Sequence, residues 1–87
     1  MEDNLTLKRN EIDQIDHKLV DLLNRRAGLA LEVGALKLRS GSKVYDPVRE
    51  RMILEKIEKL NQGPLGKGAL EDIFASIITA CREIQSK

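Results

Sequence analysis

The sequence predicts an all-α chain of three helices, one of them very long. Three observations carry that prediction. Apolar residues recur on alternating three- and four-residue steps through most of the chain. Gly and Pro cluster in two places only, Ser40 to Pro47 and Gln62 to Gly68, leaving three long segments with no proline inside them. Strand-type alternation, internal repeats and low-complexity tracts do not occur.

The first helix is expected over residues 5–38. Leu5, Ile12, Ile15, Leu19, Leu22, Leu29, Val33 and Leu36 form a coiled-coil-like seam there, with Lys8 and Arg26 at seam positions between them. Gly28 and Gly34 each cost about 1 kcal/mol of helix propensity against Ala, but the seam runs through both. The second helix is expected over 46–61. Asp46 is its N-cap and Pro47 its first helical residue, where a missing N–H is harmless. Val48, Met52, Ile53, Ile57 and Leu60 would face inward. The run Gln62 to Gly68 stops that helix, and a third follows over 69–85 with Leu70, Ile73, Phe74, Ile77, Ile78, Cys81 and Ile84 inward.

Length then becomes informative. The chain has 87 residues, room for one domain spanning 1–87. A helix over 5–38 is ~50 Å long at about 1.5 Å per residue. A compact monomer of this size has a radius of gyration of about 12 Å and a diameter near ~30 Å. The first helix must therefore project beyond any globule its own chain can build, with its seam uncovered. An obligate, intertwined homodimer is the expected solution.

Composition excludes several classes. The 15 Lys plus Arg against 14 Asp plus Glu leave a formal net charge of +1, so there is no bulk field to recruit nucleic acid or an anionic membrane surface. Tyr45 and Phe74 are the only aromatics, too few for a base-stacking platform. No apolar stretch approaches the roughly 20 residues of a membrane span, and the charged N-terminus lacks a signal-peptide core. A lone cysteine, Cys81, makes neither an internal disulfide nor a cysteine metal cluster. The expected compartment is the cytoplasm.

Polar residues on apolar faces are the functional candidates. Arg26 interrupts the seam between Leu22 and Leu29; a buried guanidinium needs an anion beside it, either a register-setting carboxylate or a ligand. Lys37 lies eleven residues on, about 16 Å along the axis and about 20° away, on the same face. The two cations leave room between them for a small polyanion, although Lys37 alone also reads as a charge favouring the helix dipole. Arg9 is about 25 Å from Arg26 within one chain. It is either an ordinary exposed arginine or, in an antiparallel dimer, a contribution to the neighbour's site. Asp46, Arg49 and Glu50 share one face of the second helix, as a cap with surface pairs or as site residues. Gln85 aligns with Phe74, Ile78 and Cys81 on an apolar face, where an amide needs partners. Cys81 reads as a small core residue, and His17 as solvated. There is no Ser–His–Asp order, metal-ligand spacing, glycine-rich phosphate loop or dinucleotide fingerprint. Several cations and an amide suit recognition of a small dicarboxylate, or a reaction driven by positioning and electrostatics alone.

In order, Arg9, then Ile12-Asp13-Gln14-Ile15-Asp16-His17-Lys18-Leu19, Leu22-Leu23-Asn24-Arg25-Arg26, Glu32-Val33-Gly34-Ala35-Leu36-Lys37 and Asp46-Pro47-Val48-Arg49-Glu50-Arg51 resemble the all-helical chorismate mutases. The likeness covers nearly the whole chain and is nearest the short bacterial AroQ class, which occurs alone or fused to other enzymes of the aromatic pathway. Each motif is modest; together, at these spacings, they are specific. The resemblance implies three helices per chain in an intertwined dimer. It also implies the rearrangement of chorismate to prephenate, with no metal, organic cofactor or covalent intermediate. Carried over by position, Arg26 and the partner chain's Arg9 would bind the substrate carboxylates, with Arg49 assisting. Lys37 and Gln85 would donate to the ether oxygen. Glu50 would accept from the substrate hydroxyl, with backbone help at Asp46. Cys81 stands where relatives carry a small residue near a carboxylate. Some relatives have Glu in place of Gln85 and need acid to keep it a donor; Gln donates at any pH.

Two alternatives belong beside this expectation. A lyase of the same fold would split isochorismate into salicylate and pyruvate; the set Asp46, Arg49, Glu50 and Gln85 favours the mutase. A non-catalytic helical dimerisation domain would bind an aromatic-pathway metabolite without turnover, but would have no need of both Lys37 and Gln85. A domain cut from a bifunctional enzyme is a further expectation, since the sequence stops just after Gln85.

Overall fold

A computed structural model describes residues 3–85 of the chain. Its three helices are α1 (Asn4–Ser40), α2 (Pro47–Leu60) and α3 (Lys67–Gln85), and there is no strand among the described residues. The expected α1 is extended at both ends, and local chemistry accounts for each end. Asp3 caps the N-terminus, its carboxylate accepting from the Thr6 N–H at 2.7 Å. At the C-terminus Gly41 adopts φ 77°, the left-handed conformation that spares glycine a Cβ clash, and the Ser42 N–H returns to the Lys37 carbonyl at 2.9 Å. Asp46 caps α2 with Pro47 in the first turn, its carboxylate accepting from the Arg49 N–H at 3.0 Å. Beyond α2, Asn61 knits the connecting loop, accepting from the Gly63 N–H and donating to the Leu65 carbonyl, both at 2.9 Å.

α3 is the central element: it packs on α1 along one side and on α2 along the other, while α1 and α2 do not pack on each other. The molecule measures 60 × 24 × 16 Å with a radius of gyration of 16.6 Å, well above the ~12 Å of a compact chain of this length. α1 is the cause. Every residue from Asp3 to Arg25 is exposed, and Leu5, Ile12, Ile15, Leu19 and Leu22 each leave half or more of their surface open.

The core of one chain is correspondingly small. Among the described residues only Gly34, Ile78 and Cys81 are buried. This corrects part of the sequence reading of α2 and α3. Ile53 and Ile57 are half-buried, but Val48, Met52 and Leu60 are exposed, as is Ile73 on α3. A hydrophobic period identifies a face and not what covers it; α2 has a single neighbour, and α3 covers only a narrow stripe of it. No helix among the described residues is long and apolar enough to cross a membrane.

Candidate active site

Where α3 crosses the C-terminal third of α1 and the start of α2, the three helices enclose a cleft of about 260 Å³. Seven sequence-predicted residues line it: Arg26 and Lys37 from α1, Asp46, Arg49 and Glu50 from the start of α2, and Cys81 and Gln85 from the end of α3. Leu29, Val33, Ile53 and Ile78 supply apolar wall between them. Apolar walls with a few convergent polar groups are the usual make-up of a small-molecule site.

Each polar group is held by a specific partner. Arg26 Nη1 lies 3.2 Å from Cys81 Sγ. Its companion is thus a weakly accepting thiol and not the register-setting carboxylate considered from sequence, so an anion entering the cleft meets a guanidinium whose charge that contact leaves uncompensated. Lys37 Nζ donates to the Val44 carbonyl at 3.1 Å, which aims the ammonium across the loop into the cleft and leaves two of its three N–H donors for other acceptors. Gln85 Nε2 donates to the Ala30 carbonyl at 2.6 Å. A carbonyl only accepts, so this bond fixes which end of the amide is nitrogen and leaves its second N–H for the cleft.

Gly34 explains how Gln85 comes so close. A Cβ at position 34 would meet Gln85 Cγ at 3.0 Å and Cβ at 3.2 Å. At Gly28, by contrast, nothing lies within 4 Å. Two glycines that look alike in the sequence therefore differ: one is a contact surface for a site residue, the other is open.

The structure does not bring every candidate together. Arg9 lies on the exposed arm and does not line the cleft of its own chain. Asp46 lines the cleft, but one carboxylate oxygen is engaged in the cap. His17 is solvated, 4.0 Å from Asp21. Sequence reasoning missed Arg82. It lines the cleft and holds both Glu50 oxygens through Nη1, at 3.0 and 2.7 Å, with its Cζ 4.7 Å from the Tyr45 ring centroid. Its position three residues before Gln85 and four after Ile78 was the available signal.

Arg26, Lys37, Arg49 and an oriented amide converge on one cleft of an all-helical protein, a set of donors whose chemistry suits a small polyanion. Among such proteins the chain belongs to a specific family: residues 8–86 match the family model described as chorismate mutase type II. It is 41% identical over 83 residues to the bifunctional chorismate mutase/prephenate dehydratase of Aquifex aeolicus, a match covering 91% of this chain and 23% of that protein. It is also 40% identical over 52 residues to the chorismate mutase of Methanocaldococcus jannaschii, covering 60% of this chain and 52% of the relative. The chain thus spans about a quarter of the bifunctional relative and half of the archaeal one. A solved structure of the chorismate mutase from Thermus thermophilus superposes with a TM-score of 0.96 at 27% identity, covering 98% of this chain and 97% of that one. The likeness in fold therefore includes the protruding first helix.

Proposed function

We propose that the chain is a chorismate mutase, converting chorismate to prephenate. The observation that carries this reading is the convergence of Lys37 and the Gln85 amide with Arg26 and Arg49 in one cleft. The reaction is an internal rearrangement: the ether C–O bond breaks as a new C–C bond forms, with no external nucleophile, proton or electron required. The cleft's task is to hold the compact reactive conformer and to stabilise charge gathering on the ether oxygen. Arg26 and Arg49 grip carboxylates, which carry the same charge throughout and so act mainly on KM. Lys37 and Gln85 point donors at the oxygen that becomes more negative only as the bond breaks, which raises kcat. Glu50 accepts from the substrate hydroxyl, backbone groups at Asp46 assist, and Cys81 supplies small packing beside Arg26.

The functional unit is an intertwined homodimer in which Arg9 of each chain enters the partner's cleft. Support comes from the arm: three buried residues among those described are too little core to hold a chain with a 37-residue helix, and the uncovered seam presents a long apolar face, broken at Lys8, to a second copy. These 87 residues form one mutase domain, working in the cytoplasm, with no metal or organic cofactor.

The test is turnover of chorismate by the purified chain, with the product identified and Lys37→Ala run alongside. Prephenate from the wild type and almost none from the variant is the expected result. Salicylate and pyruvate from isochorismate, with chorismate untouched, would make it a lyase; binding without turnover of either would make it a metabolite-binding domain.

A further inference from the structure

Arg82 carries a charge in the cleft that the mechanism has not used. It reaches from α3 to the Glu50 carboxylate on α2, and its guanidinium also sits over Tyr45 in the loop joining α1 to α2. One side chain thus ties three segments at the mouth of the cleft. The Glu50 pair is half-buried, its side chains 31% and 24% exposed, so it also ties the helices together. Its place beside the substrate's route is the stronger clue. A cleft for a dianion that also holds two carboxylates faces like-charge repulsion. Asp46 directs one oxygen to its own helix cap, but Glu50 has no such local donor; Arg82 is its partner.

We propose that Arg82 is a positioning residue for Glu50, fixing its carboxylate as acceptor for the substrate hydroxyl and offsetting its charge against the substrate's carboxylates. The inference rests on the mutase reading. Each carboxylate oxygen has two lone pairs. With one committed to Nη1, each retains another for the substrate, so the pair need not open for ligand to bind. Without Arg82 the carboxylate is free to rotate, and its uncompensated charge repels the dianion. Both effects weaken substrate binding more than they slow the chemical step, since neither the hydroxyl nor the carboxylates change charge during it.

The experiment is steady-state kinetics on the purified chain with chorismate for wild type, Arg82→Met, Arg82→Lys, Glu50→Gln and the Arg82→Met/Glu50→Gln double variant, each checked by thermal melting. Arg82→Met is expected to raise KM about tenfold, the usual scale for losing a charge-assisted hydrogen bond, with a smaller change in kcat. Arg82→Lys should recover most of that loss. In the Glu50→Gln background the same Met substitution should cost less than about twofold, because no charged carboxylate remains to be oriented or offset. Equal losses in both backgrounds, wild-type KM in Arg82→Met, or a fall in kcat with KM unmoved would each overturn the proposal. Should the Met variant melt below the assay temperature, Arg82→Gln, which keeps a polar amide on a shorter side chain without the charge, is put through the same cycle and judged by the same outcomes. Failure of the wild type to turn over chorismate sinks the mutase reading and this inference together; an active wild type with additive variants sinks this inference alone.

Discussion

The two halves of α1 carry one hydrophobic seam, broken at Lys8 and Arg26, and differ in what meets them. From Arg26 onward the helix lies against α3: Gly34 is buried, Arg26 and Lys37 are half-buried, and Lys37 and the Ala30 carbonyl are engaged across the cleft. From Asp3 to Arg25 every residue is exposed. The same period thus describes one half finished only along the face that meets α3, with Leu29 and Leu36 still 61% exposed, and another left unfinished. Periodicity reports which side of a helix is apolar, whereas what that side rests on is decided by the rest of the assembly. The C-terminal half lines the cleft; the N-terminal half, on the reading proposed above, is an arm for a second chain.

The largest effect should fall in the finished half. Lys37→Ala is expected to lower kcat by on the order of 10²–10³, and Gln85→Ala by somewhat less, because on the proposed mechanism each removes a donor aimed at charge that develops in the transition state. Arg51→Ala, on an exposed position of α2 outside the cleft, should change kcat/KM by less than about twofold. Comparable losses from Lys37 and Arg51 would remove the ether-oxygen role. Since Gln85 is an amide and does not titrate in this range, no decline of kcat between about pH 5 and 8 should depend on residue 85.

The next prediction turns on the unfinished half. If Arg9 completes the partner's cleft, Arg9→Ala and Arg26→Ala are each poorly active alone yet complement when unfolded together and refolded. A mixed dimer then holds one cleft with both lesions and one with neither, so random pairing should return about a quarter of wild-type activity. No recovery on mixing two poorly active variants would mean that both arginines serve one chain, against the distance between them along α1; a fully active Arg9→Ala would mean that Arg9 serves no cleft.

How much of this was legible in the sequence follows from what kind of interaction each feature depends on. Asp46 and Pro47 announced the start of α2 because capping is settled within four residues. The three helices and the cationic candidates were readable for the same reason: periodicity and residue type are local. Arg82 was not, since a basic residue in the last turn of a helix has a ready explanation in the dipole, and only the approach of Glu50 from another helix gives it a second one. Gly34 was counted as a cost in propensity, although its value lies in the space it leaves for Gln85. Val48, Met52 and Leu60 read as inward from the pattern, which carries no information that α2 has one neighbour. A smaller effect checks the Gly34 account. Gly34→Ala pushes on Gln85 and should lower kcat about tenfold, by displacing one donor without deleting it, while an alanine at the open Gly28 should leave kcat unchanged and improve the melting temperature through propensity.

The smallest expected effect asks what organises the arm. The Asp3 carboxyl is held below its ordinary value of 3.8 chiefly by the hydrogen bond from the Thr6 backbone N–H, then by the Thr6 side chain, against a weaker opposing effect of desolvation. A carboxylate with a lowered pKa in the folded state binds its proton less readily there than in the unfolded chain. Its contribution is therefore fully present above the unfolded value and fades as pH falls through the folded one. The Thr6 amide resonance should accordingly titrate in the acid range below about pH 4, and Asp3→Asn should abolish the titration while keeping a capped first turn, since Asn caps about as well as Asp. Arg9 lies six residues along the same helix, so the consequence for the site separates two origins of order. If the cap organises the arm, Asp3→Ala loosens the first turn and raises KM slightly, in the same direction as Arg9→Ala. If a second chain organises it, Asp3→Ala leaves KM untouched even though the Thr6 titration is gone, and the order of the unfinished half belongs to the dimer.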